Sequence, residues 1–173
     1  MNAPRLDTPR LILRSMEPAD FDAFAAMMAD QEVARFITLD QKAQDRMDAW
    51  RTMAYAMGHW LMRGFGMWAV VEKASGRFIG RVGPNYPEGW PDREIGWALA
   101  REAWGKGYAT EAAGAAMEYA FAVLRWPRAI SIIHPENTRS AAVARRLGEQ
   151  KQPDPFLFKT YRLDVYARDN PMR

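Results

Sequence analysis

One segment constrains the fold more than any other. From Arg93 to Ile133 the chain reads strand, glycine turn, long helix, buried strand. Arg93 to Leu99 has the character of a strand, and Trp104 to Tyr108 is a glycine-rich turn. From Tyr108 to Leu124, residues Ala109, Ala112, Ala113, Ala116, Met117, Ala120, Phe121 and Leu124 recur at helical spacing on one face. Such a helix is roughly 25 Å long at ~1.5 Å per residue. Ala129-Ile130-Ser131-Ile132-Ile133 is short and apolar, as a strand covered on both faces should be. A strand that returns through a helix to another strand is a crossover, so the sheet must contain a parallel pair with a helix packed on it.

The remaining elements fit around that unit. Leu11 to Arg14 reads as a strand, and the Ser15, Pro18, Asp20 run starts a helix carrying Phe21, Phe24, Ala25 and Met28. A second helix is expected from Gln41 to Arg63, with Met47, Trp50, Ala54, Met57 and Leu61 as its apolar stripe. Met67 to Glu72 and Phe78 to Gly83 form a hairpin around Lys73 to Arg77. Pro84 to Asp92, with three prolines, is a loop. A last helix begins at Asn137 or Ser140 and ends at Gly148, and Phe156 to Arg168 is strand. The expected architecture is α/β, a mixed sheet in the order β-α-α-β-β-β-α-β-α-β with one further strand open, within a single domain covering residues 1–173.

Composition removes whole classes of chemistry. The chain has no cysteine and only His59 and His134, which excludes a disulfide scaffold, a thiolate or His-rich metal site and a cysteine nucleophile. No metal is expected. No apolar run approaches the ~18 residues of a membrane helix. Arg5, Arg10 and Arg14 are followed by no long apolar stretch, so no secretory signal is read and the expected compartment is the cytoplasm. The net charge of +3 is spread along the chain rather than blocked, so nucleic acid is not an expected partner. A phosphate-bearing small ligand suits that charge equally well.

The glycine turn is where such a ligand would sit. Gly105 and Gly107 let the backbone approach a ligand closely, and they feed the free amides and positive dipole end of the long helix. That combination suits phosphate, with Lys106 adding a mobile positive charge. The segment is neither a Walker loop nor a dinucleotide fingerprint, since Tyr108-Ala109-Thr110 supplies no third glycine.

WGKGYATEA after EIGWAL, with HPENTRSAAVARRLG one strand later and TPRLILRSMEPADFDAF at the start, resembles the GNAT acetyltransferase superfamily. It is most similar to the branch that includes enzymes acetylating the N-termini of ribosomal proteins. The likeness runs over roughly residues 6 to 148. It implies that acetyl-CoA lies between the fourth and fifth strands, which splay apart. It also implies a CoA-binding loop of Trp104, Gly105, Lys106, Gly107, Tyr108 and Ala109, with main-chain contacts from Trp97 and Leu99. Asn137 would bond the pantetheine or orient the helix after it. Arg139, Arg145 and Arg146 are either phosphate partners or surface charges.

For acetyl transfer to a primary amine, the resemblance places Glu94 as a base acting through water and Ser140 as the substitute for the acid, able to hydrogen-bond the leaving sulfur and to act as an acid only through a water relay. Glu94 could equally be paired with Arg93 or Arg81, and Ser140 could equally cap a helix. The tyrosine that many family members carry is Ala144 here. Trp50, Tyr86 and Trp90, with Tyr55 and Trp60, are candidate acceptor contacts. His134 reads as structural and His59 has no assigned role. The expected activity is N-acetylation of a peptide N-terminus or small-molecule amine by direct attack in a ternary complex. The alternative is a catalytically silent acyl-CoA sensor. After Gly148 the family's usual Phe is Glu149, so the last hairpin is either shortened or used in a homodimer.

Overall fold

Leu11, Leu13, Val70, Val82, Ile95 and Ile130 are fully or almost fully buried strand residues. A computed structural model, which describes residues 3–38 and 40–172, joins their strands into one nine-stranded sheet. The elements are β1 (Leu6–Asp7), β2 (Leu11–Arg14), α1 (Phe21–Ala29), α2 (Gln31–Ala34), α3 (Arg46–Arg63), β3 (Trp68–Glu72), β4 (Phe78–Asn85), β5 (Glu94–Leu99), α4 (Tyr108–Ala122), β6 (Arg128–Ile133), α5 (Thr138–Arg146), β7 (Gln150–Lys151), β8 (Phe156–Phe158) and β9 (Tyr161–Asp169). The sheet order is β1-β2-β3-β4-β5-β6-β9-β7, with β8 pairing β9. Every pairing is antiparallel except that of β5 with β6, the crossover through α4.

Helix α4 buries Ala112, Ala113, Ala116 and Ala120 completely. Four side chains of one carbon each let its backbone lie close to the sheet, where it packs in a cluster with Trp68, Val82 and Ile95. A second cluster, from α1, α3 and the strands, holds Phe24, Met28, Met53, Met67 and Ala69.

Three expectations need correction. First, α3 starts at Arg46 rather than Gln41, because Asp45 caps it: the Asp45 carboxylate accepts from the Asp48 amide at 2.8 Å. Its buried face is Ala49, Met53, Ala56 and Trp60, while Met47, Trp50 and Leu61 are 58%, 60% and 74% exposed. Helical periodicity gives the spacing of a stripe but not which of two interleaved apolar stripes turns inward. Here the stripe with two alanines seats against α1.

Second, β4 continues through Pro84 and Asn85, which pair with Ile95 and Glu94. The β3 partner stops at Val82, so Pro84 sits where β4 has a neighbour on one side only and its missing N–H costs little. Third, the stretch from Phe156 to Arg168 is two strands with a turn at 159–160 rather than one. Strands β8 and β9 pair from Phe156↔Leu163 to Phe158↔Tyr161, and β9 runs on beside β6 as far as Arg128↔Asp169.

Candidate active site

The parallel pairing of β5 and β6 lasts for one step, Glu94↔Ile130, with the Ile130 amide donating to the Arg93 carbonyl at 2.9 Å. The next ladder bond would run from the Ile132 amide to the Ile95 carbonyl. Side chains take both groups instead. The Ser131 hydroxyl donates to the Ile95 carbonyl at 2.9 Å, and the Ile132 amide faces Glu94 Oε1 at 3.5 Å. Beyond this point the strands separate. These are the fourth and fifth strands of the sequence reading, renumbered because Leu6–Asp7 adds a strand before them.

A cavity of about 630 Å³ opens at the fork. Glu94, Gly96, Trp97, Ser131, Ile132 and Ile133 line it from the two strands, together with Tyr55, Met67, Arg81 and Asn85. Trp90, Phe158 and Tyr161 also line it, with Trp90 stacked edge-on to Phe158 at 5.4 Å. Gln41 and His134, and Asn137 and Ser140, line it as well.

Glu94 is buried, and burial pushes its carboxyl above the usual glutamate range. Hydrogen bonds from Asn85 Nδ2 at 2.9 Å and Trp90 Nε1 at 2.8 Å to Oε2 oppose that shift, as does the charge of Arg81. The Tyr55 hydroxyl donates to Asn85 Oδ1 at 2.9 Å, which fixes the amide so that its NH₂ faces Glu94. Neither Arg81 nor Arg93 forms an ion pair with Glu94; Arg93 lies 3.9 Å from Asp92.

Asn137 caps α5, accepting from the Ser140 amide at 3.1 Å. Ser140 is therefore not itself the cap. Its hydroxyl oxygen accepts from Trp97 Nε1 at 3.2 Å, which leaves its own proton available to a group in the cavity. Ala144 is fully buried against Ile133 and Tyr166, so this position offers nothing to the cavity.

The glycine loop is held from behind by residues that the sequence reading missed. Gly105 and Gly107 adopt φ of +75° and +79°. Arg10 Nη1 donates to the Lys106 carbonyl at 2.8 Å, while the Glu111 carboxylate accepts from Thr8 Oγ1 (2.6 Å), the Arg10 amide (2.8 Å) and Arg10 Nε (2.7 Å). Burial alone would raise the Glu111 carboxyl, but these bonds and the Arg10 charge bring it below its ordinary value. With Glu111 neutralised by Arg10, the first-turn amides of Tyr108, Ala109 and Thr110, which have no intrahelical acceptor, can serve an outside anion. An acid in the first turn of the helix and an Arg 101 residues earlier share no local pattern.

The other candidates fall in several places. Leu99 has a buried side chain and its carbonyl accepts from Trp104 Nε1 at 2.8 Å. The Arg139 guanidinium lies 4.8 Å from the Trp104 ring, bridging α5 to the glycine loop. The Tyr108 ring is buried and its hydroxyl donates to Glu72 at 2.6 Å, so only its main chain can reach a ligand at the loop. Arg145 lines a separate shallow pocket with Gly148, Glu149 and Tyr166.

Of the acceptor candidates, Trp90 lines the cavity and Trp50 and Tyr86 do not. Trp50 stands on the outer face of α3. Tyr86 turns its ring to Arg63 and Arg93, and its amide donates to Nε2 of the buried His59, whose Nδ1 donates to the Phe65 carbonyl. His59 thus ties α3 to β4. Trp60 is core. Among the described residues, no cluster of three or more His, Asp or Glu could hold a metal ion, and no helix is long and apolar enough to cross a membrane.

Known proteins are similar to this chain in sequence and in fold. The family described as the acetyltransferase (GNAT) domain matches residues 10–150. An uncharacterized Bacillus subtilis protein, YkkB, is 33% identical over 153 residues, 86% of this chain and 87% of its own. An uncharacterized N-acetyltransferase of Bacillus licheniformis, p20, is 31% identical over 85% of this chain and 83% of its own. The crystal structure of an acetyltransferase from Agrobacterium tumefaciens superposes with a TM-score of 0.85 at 33% identity, covering 97% of this chain and 95% of the other. RimL, a ribosomal L7/L12 acetyltransferase solved with coenzyme A, shares the fold at a TM-score of 0.78 and 18% identity, covering 96% of this chain and 98% of its own. With its forked sheet and its match to the family over most of its length, the chain belongs to the GNAT family and is an acyl-CoA-dependent acetyltransferase.

Proposed function

We propose that the chain transfers the acetyl group of acetyl-CoA to a primary amine by direct attack within a ternary complex. The observation that carries this reading is the fork, where a carboxyl, a cavity and an interrupted ladder meet at Glu94, Ser131 and Ile95. The main-chain groups of Trp97 and the amide of Leu99, whose carbonyl Trp104 already occupies, lie along the part of β5 released from β6, where an amide-bearing arm could add as a strand would. The glycine loop, from Trp104 through Ala109, suits a diphosphate. When bound, acetyl-CoA supplies an activated acyl group; RimL, which shares this fold and was solved with coenzyme A, supports binding of the CoA portion.

The chain's own residues do the rest. Glu94, raised by burial, accepts a proton from the incoming ammonium directly or through one water, so that the amine attacks neutral. Ser140, oriented by Trp97, donates a hydrogen bond to the departing sulfur, which takes up the second proton that the attacking nitrogen releases as the tetrahedral adduct collapses. Trp90 and Tyr55 hold the Glu94 carboxyl and its Asn85 partner in place. No structural observation favours the silent sensor, and we place the enzyme in the cytoplasm.

A panel of primary amines, read by CoA release and by product mass, tests the proposal. At least one amine should gain an acetyl group, and Glu94→Gln should slow that turnover. Tight CoA binding with no acetylation of any amine would overturn it.

A further inference from the structure

Arg81 projects from the middle of β4 into the cavity wall. Its Nε is buried without a hydrogen-bond partner, and one Nη rests against the Met67 sulfur, a weak acceptor. Among the described residues no carboxylate lies within ion-pair range. Glu94 and Tyr55, its titratable neighbours, act on it only at longer range. Arg81 as a whole is half-buried, and a guanidinium with a buried, unsatisfied nitrogen is ordinarily matched by an acid, because leaving it unmatched is unfavourable. Here the unmatched cation faces the space where the acceptor would sit, and the Glu94 carboxyl faces that space as well.

We propose that the acceptor is an amine bearing its own carboxylate, a free α-amino acid, with Arg81 holding the carboxylate while Glu94 receives the amine's proton. This rests on the acetyl-transfer reading. A zwitterion matches the two charged groups as a pair, because the cavity keeps guanidinium and carboxyl apart instead of letting them neutralise each other. Trp90, Phe158 and Tyr161 make the flanking surface aromatic, which suits an apolar or aromatic side chain. A peptide N-terminus would bring a neutral amide to Arg81 and leave the cation unanswered.

The test uses matched probes: phenylalanine, methionine and leucine, each with its carboxamide and its decarboxylated amine. The free acids should show kcat/KM at least ~30-fold above their amides and amines, as expected where a built polar partner goes unmet. Arg81→Met should bring the acids down to the level of the amides. Arg81→Lys, which keeps a charge but not the fork of donors, should raise KM for the acids alone. A structural role of Arg81 acting through Glu94 would slow acids, amides and amines equally, and that result overturns the proposal. So does equal turnover of acid and amide, or preference for a tripeptide N-terminus, in the native enzyme. Calorimetric titration of the CoA-loaded protein with the same probes reads the carboxylate preference without turnover. A failure of acetyl transfer is therefore distinguishable from a failure of Arg81 to bind the acid.

Discussion

The Ser131 hydroxyl occupies the Ile95 carbonyl at 2.9 Å and stands 3.0 Å from Glu149 Oε1. A serine has one proton, so both contacts are hydrogen bonds only when Glu149 carries a proton and donates to Ser131. The hydroxyl that stops the β5–β6 ladder is thus itself fixed from behind by an acid. Ser131→Ala leaves the Ile95 carbonyl and the Glu149 carboxyl without their buried partner. We expect a loss of about 1–3 kcal/mol in denaturant unfolding and a raised KM for acetyl-CoA. An unchanged KM alongside lost stability would mean that the hydroxyl supports the fold without setting the fork.

Glu149 links this site to pH. Burial raises its carboxyl from 4.5 to about 8; Glu94 adds to that shift, while the charge of Arg168 opposes it. Arg168 itself is engaged with the Leu147 carbonyl at 2.8 Å. Below pH 4.5 the folded and unfolded states both hold the proton. Between 4.5 and about 8 the unfolded chain ionises while the folded one does not, so stability falls with rising pH, by at most about 1.4 kcal/mol per unit. Glu149→Gln keeps a donor for Ser131 and removes the titration. Its melting temperature should exceed the native protein's by more at pH 8 than at pH 5, and a constant difference would show that Glu149 titrates normally.

The clamp behind the glycine loop makes a separable prediction. Arg10→Ala frees the Lys106 carbonyl and leaves Glu111 charged beside the helix start, where it repels phosphate. KM for acetyl-CoA should rise about tenfold, as one charge-assisted bond is worth, with kcat much less affected. Glu111→Ala should do less harm, because Arg10 still reaches the Lys106 carbonyl. The two changes together should be non-additive, since the residues act as one unit.

Much of this arrangement is legible in the sequence. The Arg93 to Ile133 crossover fixes the parallel pair, and the glycine turn marks where α4 begins. The fork is legible only through the family resemblance, because nothing local in EIGWAL or AISII says that pairing stops after Ile130. Trp50 shows another limit: its spacing is that of a buried stripe, yet Ala49 and Met53 take the inside. Arg10 with Glu111, and Arg81 in the cavity wall, are products of tertiary placement, separated in sequence from everything they serve. The Leu147-Gly148-Glu149 departure is visible in the sequence, but its partner Ser131 is not.

Glu94 carries the most direct prediction. A base must be ionised to accept a proton, so kcat/KM should rise with pH through the Glu94 titration. Burial shifts that limb above the ordinary glutamate value. Glu94→Gln fills the same space and can still meet Trp90 and Asn85, but it cannot take the proton. Turnover should fall about 10²–10³-fold, as for loss of a general base, and the acidic limb should vanish. The neighbours give the sign independently of the base itself. Asn85 and Trp90 both donate to Oε2 and hold the carboxyl lower than burial alone would. Asn85→Ala or Trp90→Phe should therefore move the acidic limb to higher pH while leaving the plateau rate less affected. A limb that stays in place in both variants, or survives in Glu94→Gln, would belong to some other group and remove Glu94 from the proton path.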